Sequence, residues 1–179
     1  CISASKNVYS FGKSENGALG HPEENVFPPR VIPSLKQIVS VQCGGNHTIC
    51  LREDGTVFSF GSNHYGQLGI DTDDRVITIY EDQPQKVNHL PPISQISCGD
   101  NFTVCVSRKG NLYSFGCNNV GQLGIGGDVG ISSSPRKIEN LKGIDFVECG
   151  DNYVCCKTLK GRIYCWGAND KFQLGFKSY

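Results

Sequence analysis

The sequence predicts an all-β fold, a β-propeller of about three to four blades that makes up part of a ring. Three observations predict it. A unit of roughly fifty residues recurs along the 179-residue chain. Each unit holds short runs of β-forming residues separated by glycine turns. No apolar pattern of helical period runs long enough for an amphipathic helix.

The recurrence is plain at residues 59–70, SFGSNHYGQLGI, which return at 114–125 as SFGCNNVGQLGI. The two stretches differ only at Ser62/Cys117, His64/Asn119 and Tyr65/Val120. The frame extends to four aromatic-glycine segments, ending at Gly12, Gly61, Gly116 and Gly167. Each is followed by a leucine-glycine pair whose glycine lies eight residues further on: Leu19-Gly20, Leu68-Gly69, Leu123-Gly124 and Leu174-Gly175. A cysteine-glycine motif alternates with these segments at Cys43-Gly44, Cys98-Gly99 and Cys149-Gly150. Further along each unit come Cys50, Cys105 and Cys156, and Cys1 falls in that same column, giving intervals of 49, 55 and 51 residues. The chain reads as repeats at 1–49, 50–104 and 105–155 with a partial one at 156–179. It opens in the middle of a unit and contains no methionine, so it is expected to be a piece of a longer protein.

Within one unit the elements follow in order. Residues 94–98 read as a strand ended by Gly99-Asp100-Asn101, and 102–106 read as the next. Arg108-Lys109-Gly110-Asn111 is a turn with glycine where positive φ is needed. Residues 112–115 form the following strand. The same hairpin recurs at Glu53-Asp54-Gly55 and Leu159-Lys160-Gly161. Asn63, Gly66 and Gly69 then supply loop backbone. A single small sheet cannot bury both faces, so neighbouring blades must cover each other.

Composition narrows the function classes. Seventeen basic residues balance seventeen acidic ones, which removes a net electrostatic case for nucleic acid or an anionic membrane. No stretch approaches the length of a membrane helix. Ten cysteines invite disulfide or metal readings, but the chain has no Cys-x-x-Cys pair. Cys155 and Cys156 alternate across a strand, which disfavours joint ligation. The column cysteines are best read as small apolar plugs between blades, with disulfide and metal readings left open; reduced thiols imply a cytoplasmic or nuclear location. Two glycosylation sequons, at Asn46 and Asn101, fall on repeat-equivalent turns and read as coincidence. The glycine-rich run 121–127 lacks the Gly-Lys-Ser/Thr ending of a phosphate loop. His21, His47, His64 and His89 do not recur in register, and His47 reads as a turn histidine bonding backbone. No catalytic set, metal or cofactor is expected.

The repeat is broken once, by extra residues near 71–82. Val76 to Tyr80 is expected to form a short strand in a projecting loop, and insertions in repeat proteins often carry binding function. Candidate partner-binding residues are therefore Asp71, Asp73, Asp74, Arg75 and Tyr80, followed by the loop residues His64, Tyr65, Asn119 and Val120.

Cys43–Ile70, CGGNHTICLREDGTVFSFGSNHYGQLGI, resembles the repeat of the regulator of chromosome condensation (RCC) family, and the resemblance covers essentially the whole chain. It implies part of a seven-bladed propeller. Departures are Phe102 and Tyr153 in the column of His47, Phe-Gly instead of Trp-Gly except at Trp166-Gly167, Ala18 in the first loop and Phe172 in the last. A cut before Cys1 is expected to leave open sheet edges that favour self-association. The reading is a non-enzymatic protein-protein interaction module of a larger regulatory protein. The resemblance also implies two alternatives: guanine-nucleotide exchange on a Ran-like small GTPase, through a β-wedge equivalent to the 71–82 loop, and chromatin association, to which neutral charge adds no phosphate-binding support. A single tryptophan speaks against an ultraviolet-sensing role.

Overall fold

The computed structural model describes residues 1–23, 25–70 and 78–176, and its described residues contain strands and turns but no helix. β1 (Tyr9–Lys13) and β2 (Asn25–Val31) form a two-stranded sheet. β3 (Ile38–Cys43), β4 (His47–Arg52), β5 (Val57–Ser62) and β6 (Tyr80–Lys86) form a four-stranded sheet in chain order. β7 (Ile93–Cys98), β8 (Phe102–Ser107), β9 (Leu112–Cys117) and β10 (Ile131–Lys137) repeat it. β11 (Ile144–Cys149), β12 (Tyr153–Thr158) and β13 (Ile163–Gly167) make a three-stranded sheet. These are the four blades, one to four, and every neighbouring pair is antiparallel.

The sequence unit and the blade are offset. The unit beginning at Cys50 starts inside β4 and ends inside β8, so each period straddles two blades. The strand that sequence reasoning did not place is the outer one. β6 and β10 are polar, and β2, β6 and β10 carry Pro28 and Pro29, Pro84 and Pro135 respectively. Proline is tolerated at a sheet edge because its missing N–H faces outward. Register shifts at Ser10/Gly12, Ser59/Gly61 and Ser132/Arg136 bend the pairing to this strand.

Tyr80 opens β6, paired with Ser62, instead of closing a short strand in a projecting loop. The reason is local: β5 needs an outer partner, and Asn63 N–H already donates to Ile79 O at 2.7 Å. The rest of that expectation, including Asp71, Asp73, Asp74 and Arg75, lies outside the described residues.

The core lies between blades. Val8, Ile32, Leu35, Ile38, Cys50 and Phe60 are buried between blades one and two. Ile49, Leu51, Val57, Ile93, Cys105 and Phe115 fill the next junction. Phe102, Val104, Val106, Val147, Val154 and Cys156 fill the third. β8 is buried at every position, because both its faces are covered. Each such side chain contributes roughly 1.5–3 kcal/mol by leaving water.

Backbone bonds lock the junctions at both rims. At one, Gly45 N–H donates to Asp100 O and Asp100 N–H to Asp151 O, at 3.0 and 2.9 Å. At the other, the hairpin glycines accept from the first strand of the next blade: Ile93 N–H to Gly55 O at 2.9 Å and Ile144 N–H to Gly110 O at 3.0 Å. In addition, the Gln95 carboxamide grips both the N–H and the carbonyl of Val147, at 3.1 and 3.2 Å.

Gly69 and Gly126 separate packing from backbone strain. Both have positive φ, +66° and +70°, but a Cβ on Gly69 would lie 2.6 Å from the Phe115 ring, whereas one on Gly126 meets nothing within 4 Å. Gly126→Ala is expected to cost about 1 kcal/mol and Gly69→Ala about 2–4 kcal/mol, read by denaturant unfolding. Equal losses would show that this interblade contact does not bear on stability.

Candidate partner-binding face

The repeated motifs build one rim of the blades. In the register of β4 with β5, His47 opposes Gly61; in β8 with β9, Phe102 opposes Gly116; in β12 with β13, Tyr153 opposes Gly167. In blades two, three and four the cysteine-glycine turn and the loop that ends in Gln-Leu-Gly therefore open at the same end. Gly44, Gly99 and Gly150 lie directly against the rings of His47, Phe102 and Tyr153, where a Cβ would clash. That contact explains why a ring follows each of these turns at a fixed distance.

Each Gly-Gln-Leu-Gly loop closes on itself through two side chains. Asn63 Oδ1 accepts from Leu68 N–H at 2.9 Å and Gln67 Oε1 from Tyr65 N–H at 2.9 Å. Asn118 and Gln122 do the same for Leu123 and Val120, at 2.9 and 3.0 Å. Asn169 and Gln173 repeat it for Leu174 and Lys171, at 3.1 and 2.8 Å. The two residues held between these clamps, His64-Tyr65 and Asn119-Val120, are exposed.

The loops then dock on the next blade. Gly20, Gly69 and Gly124 abut Phe60, Phe115 and Trp166. Thr48 Oγ1 donates to Ala18 O at 2.8 Å and Thr103 Oγ1 to Gln67 O at 3.0 Å. Val154 occupies the equivalent place in blade four and has no hydroxyl; there Trp166 Nε1–H donates to Gln122 O at 3.0 Å. The lone tryptophan thus replaces a threonine bond.

An open depression of about 410 Å³ lies on this rim. Tyr65, Asn119 and Val120 line it together with Asp100, Asn101 and Asp170. Tyr65 and Val120 are 39% and 50% exposed, enough apolar surface to anchor a partner. Neither lysine nor arginine contributes to the lining. Carboxylates and carboxamides beside the exposed Tyr65 and Val120 fit a partner that brings N–H donors or positive charge.

The remaining predicted residues are placed apart. Tyr80 is exposed and lines a different cleft of about 530 Å³, with Lys13, Glu15, His21, Glu23 and Asp82. His64 is exposed and borders neither hollow. Cys50, Cys105 and Cys156 are buried between blades, while Cys43 is exposed and Cys98 and Cys149 are half-buried. Burial pushes the Cys50 thiol up to about 12 and holds Cys105 far above the usual thiol range. No group of three His, Cys, Asp or Glu among the described residues is arranged to hold a metal ion.

The structure corrects the reading of His47. It does not bond backbone: its Nε2 lies 3.1 Å from Thr103 Oγ1 on the next blade. Since the Thr103 hydroxyl already donates to Gln67 O, Nε2–H is the donor in this pair and Nδ1 is the unprotonated nitrogen. Nδ1 is buried without a partner, and burial pushes the imidazole down to about 4.

Two predictions follow from these interblade contacts. Because the folded chain keeps His47 neutral down to about pH 4 while the unfolded chain protonates it near 6.5, stability falls as pH drops through that window. The slope is about 1.4 kcal/mol per pH unit, and His47→Phe, the residue of the next repeat, removes it; unfolding midpoints of both proteins across the window measure this. Trp166→Phe is expected to destabilise by about 1 kcal/mol through loss of the bond to Gln122 O. Adding Val154→Thr is expected to restore that bond, and a double-mutant cycle reads the coupling.

Comparison with known proteins agrees with this architecture. The family described as RCC1-like domain matches residues 1–179. Human E3 ubiquitin-protein ligase HERC2 is 35% identical over 99% of this chain, and the match spans 4% of that protein. Human Protein RCC2 is 32% identical over 97% of this chain and 38% of its own length. The chain thus spans well under half of these relatives. Among solved structures, yeast RCC1 (Prp20) bound to Kap60 superposes with a TM-score of 0.85 at 23% identity, covering 97% of this chain and 42% of that one. Prp20p from Saccharomyces cerevisiae, studied for binding to Gsp1p and histones, gives 0.83 at 22% identity, over 99% and 45%. The chain belongs to the RCC1-like domain family.

Proposed function

We propose that this chain is a non-enzymatic protein-interaction segment of a propeller, and that it engages its partner through the rim bearing Tyr65, Asn119 and Val120. One observation carries the reading. The paired Asn and Gln clamps hold the loops of blades two, three and four in the same shape, yet the residues projected from them differ between blades. A rigid scaffold presenting unlike side chains into a shared depression is the arrangement of a recognition surface. The acceptor-rich lining favours a partner segment with basic or amide donors. No step requires a nucleophile or a proton carrier.

Exchange on a Ran-like GTPase is the second reading. It is favoured by the fold shared with Prp20p, a protein studied for binding to Gsp1p. It would work by stabilising the nucleotide-free GTPase, through contacts alone. Chromatin engagement would use the same acceptor-rich rim against basic histone tails, as Prp20p was also studied with histones.

Titration with a GDP-loaded Ran-like GTPase and with histone-tail peptides tests these readings side by side. Saturable binding that drops at least tenfold in Tyr65→Ala/Val120→Asp, but not in Lys160→Ala on the opposite rim, is the expected result for the rim. Accelerated nucleotide release would transfer the chain to the exchange reading. Binding unchanged by the rim variant would overturn the assignment of this face.

A further inference from the structure

We infer that Cys155 and Cys165 form a thiol-disulfide exchange site: a cross-strand pair that closes on oxidation by a low-molecular-weight disulfide and staples β12 to β13. The two residues oppose each other directly in the ladder. Ladder bonds run from Thr158 N–H to Arg162 O at one end and from Ala168 N–H to Asn152 O at the other. Alternating inward from both ends, the pair at 155 and 165 is a non-hydrogen-bonded one. At such pairs Cα atoms sit about 4.5 Å apart and side chains lie closest. That spacing falls within the roughly 4.4–6.8 Å that a disulfide spans. The sulfurs face each other on one side of the blade, whereas Cys156 points to the opposite side and is buried in the third junction.

The repeat shows that this pairing is a departure from the unit. The equivalent opposed pairs are Ile49 with Ser59 and Val104 with Ser114. In those blades the serine hydroxyl straps the loop, Ser59 to Leu68 O at 2.8 Å and Ser114 to Leu123 O at 2.7 Å. Ser10 does the same to Leu19 O at 2.6 Å. Blade four changes both members at once, an aliphatic residue and a serine becoming two cysteines in contact. A single cysteine in either place would be an apolar filler; the double change gives the chemistry of a pair.

The reaction with oxidised glutathione balances without any group from the protein beyond the two thiols. One thiolate attacks the glutathione disulfide, forming a mixed disulfide and releasing a glutathione thiolate. The second thiolate attacks the protein sulfur of that mixed disulfide, releasing a second glutathione. The two thiol protons end on the two glutathiones, the protein pair is oxidised by two electrons, and glutathione disulfide is reduced by two. Both residues are half-buried in the 179-residue chain, on the face that the next blade covers at Ile49 and Val104, so a small disulfide reaches them where no further blade lies against that face. Burial and the facing thiol push Cys155 up to about 12, so the exchange accelerates as pH rises.

Incubation of the 179-residue chain with oxidised glutathione, followed by intact mass and non-reduced peptide mapping, tests the assignment. The expected product is lighter by two hydrogens, has two fewer alkylatable thiols and carries a link joining Cys155 to Cys165. It forms faster at higher pH, reverts with dithiothreitol, and shows slowed amide exchange in β13. Cys165→Ser, which installs the residue of the other three segments, is expected to fold and to give no link. Glutathione adducts on both residues without a link, a link through Cys149 or Cys156, or no reaction would each overturn the inference. The unmutated chain alone decides among these outcomes.

Discussion

Every blade leaves apolar residues on a face that only the adjacent blade can cover, and the structure answers that constraint with a contact between glycine and an aromatic ring. Gly20, Gly69 and Gly124 bring loop backbone against Phe60, Phe115 and Trp166. A side chain at any of these glycines would hold the blades apart and open the slab of Val, Ile and Leu beneath. The threonine hydroxyls and the Gln95 carboxamide then satisfy polar groups that the close approach would otherwise strand. Stability is accordingly spread over junctions between nearest neighbours.

Much of this was legible in the residues. Glycines and rings in register announced repeating strands, and the four aromatic-glycine segments fall on β1, β5, β9 and β13. The hairpin glycines Gly55, Gly110 and Gly161 stand at positive φ as the turn chemistry requires. The outer strands were not legible, because sequences such as EDQPQK and SSSPRK carry proline and polar residues that edge positions accept and β-propensity penalises. Nor could the sequence show that Tyr65, Asn119 and Val120 converge, since the depression is made by loops from different blades. Tyr80, expected in a projecting loop, stands instead at the start of such an outer strand.

Blade four shows how the unit tolerates substitution when a partner changes with it. Val154 gives up the hydroxyl of Thr103, and the indole of Trp166 donates to the orphaned carbonyl from the other strand. Cys165 gives up the serine strap while its opposite number becomes Cys155. His47, alone in a column otherwise filled by Phe102 and Tyr153, finds Thr103 across the junction and keeps one nitrogen dry. Trp166 restores a hydrogen bond that the valine loses, the two cysteines answer each other, and His47 satisfies one nitrogen while the other stays dry; what is kept in each instance is a side-chain contact at the same place in the blade.

The self-clamped loops bear on the thermodynamics of recognition. A segment whose backbone is already fixed by its own Asn and Gln surrenders little conformational freedom when a ligand arrives, so contact energy is not spent on ordering it. The two projecting positions can then be exchanged without retuning the frame beneath them. A scaffold of this kind can diversify its specificity by drift at a few solvent-facing sites, while the rest of the chain stays under the much stricter demands of shape.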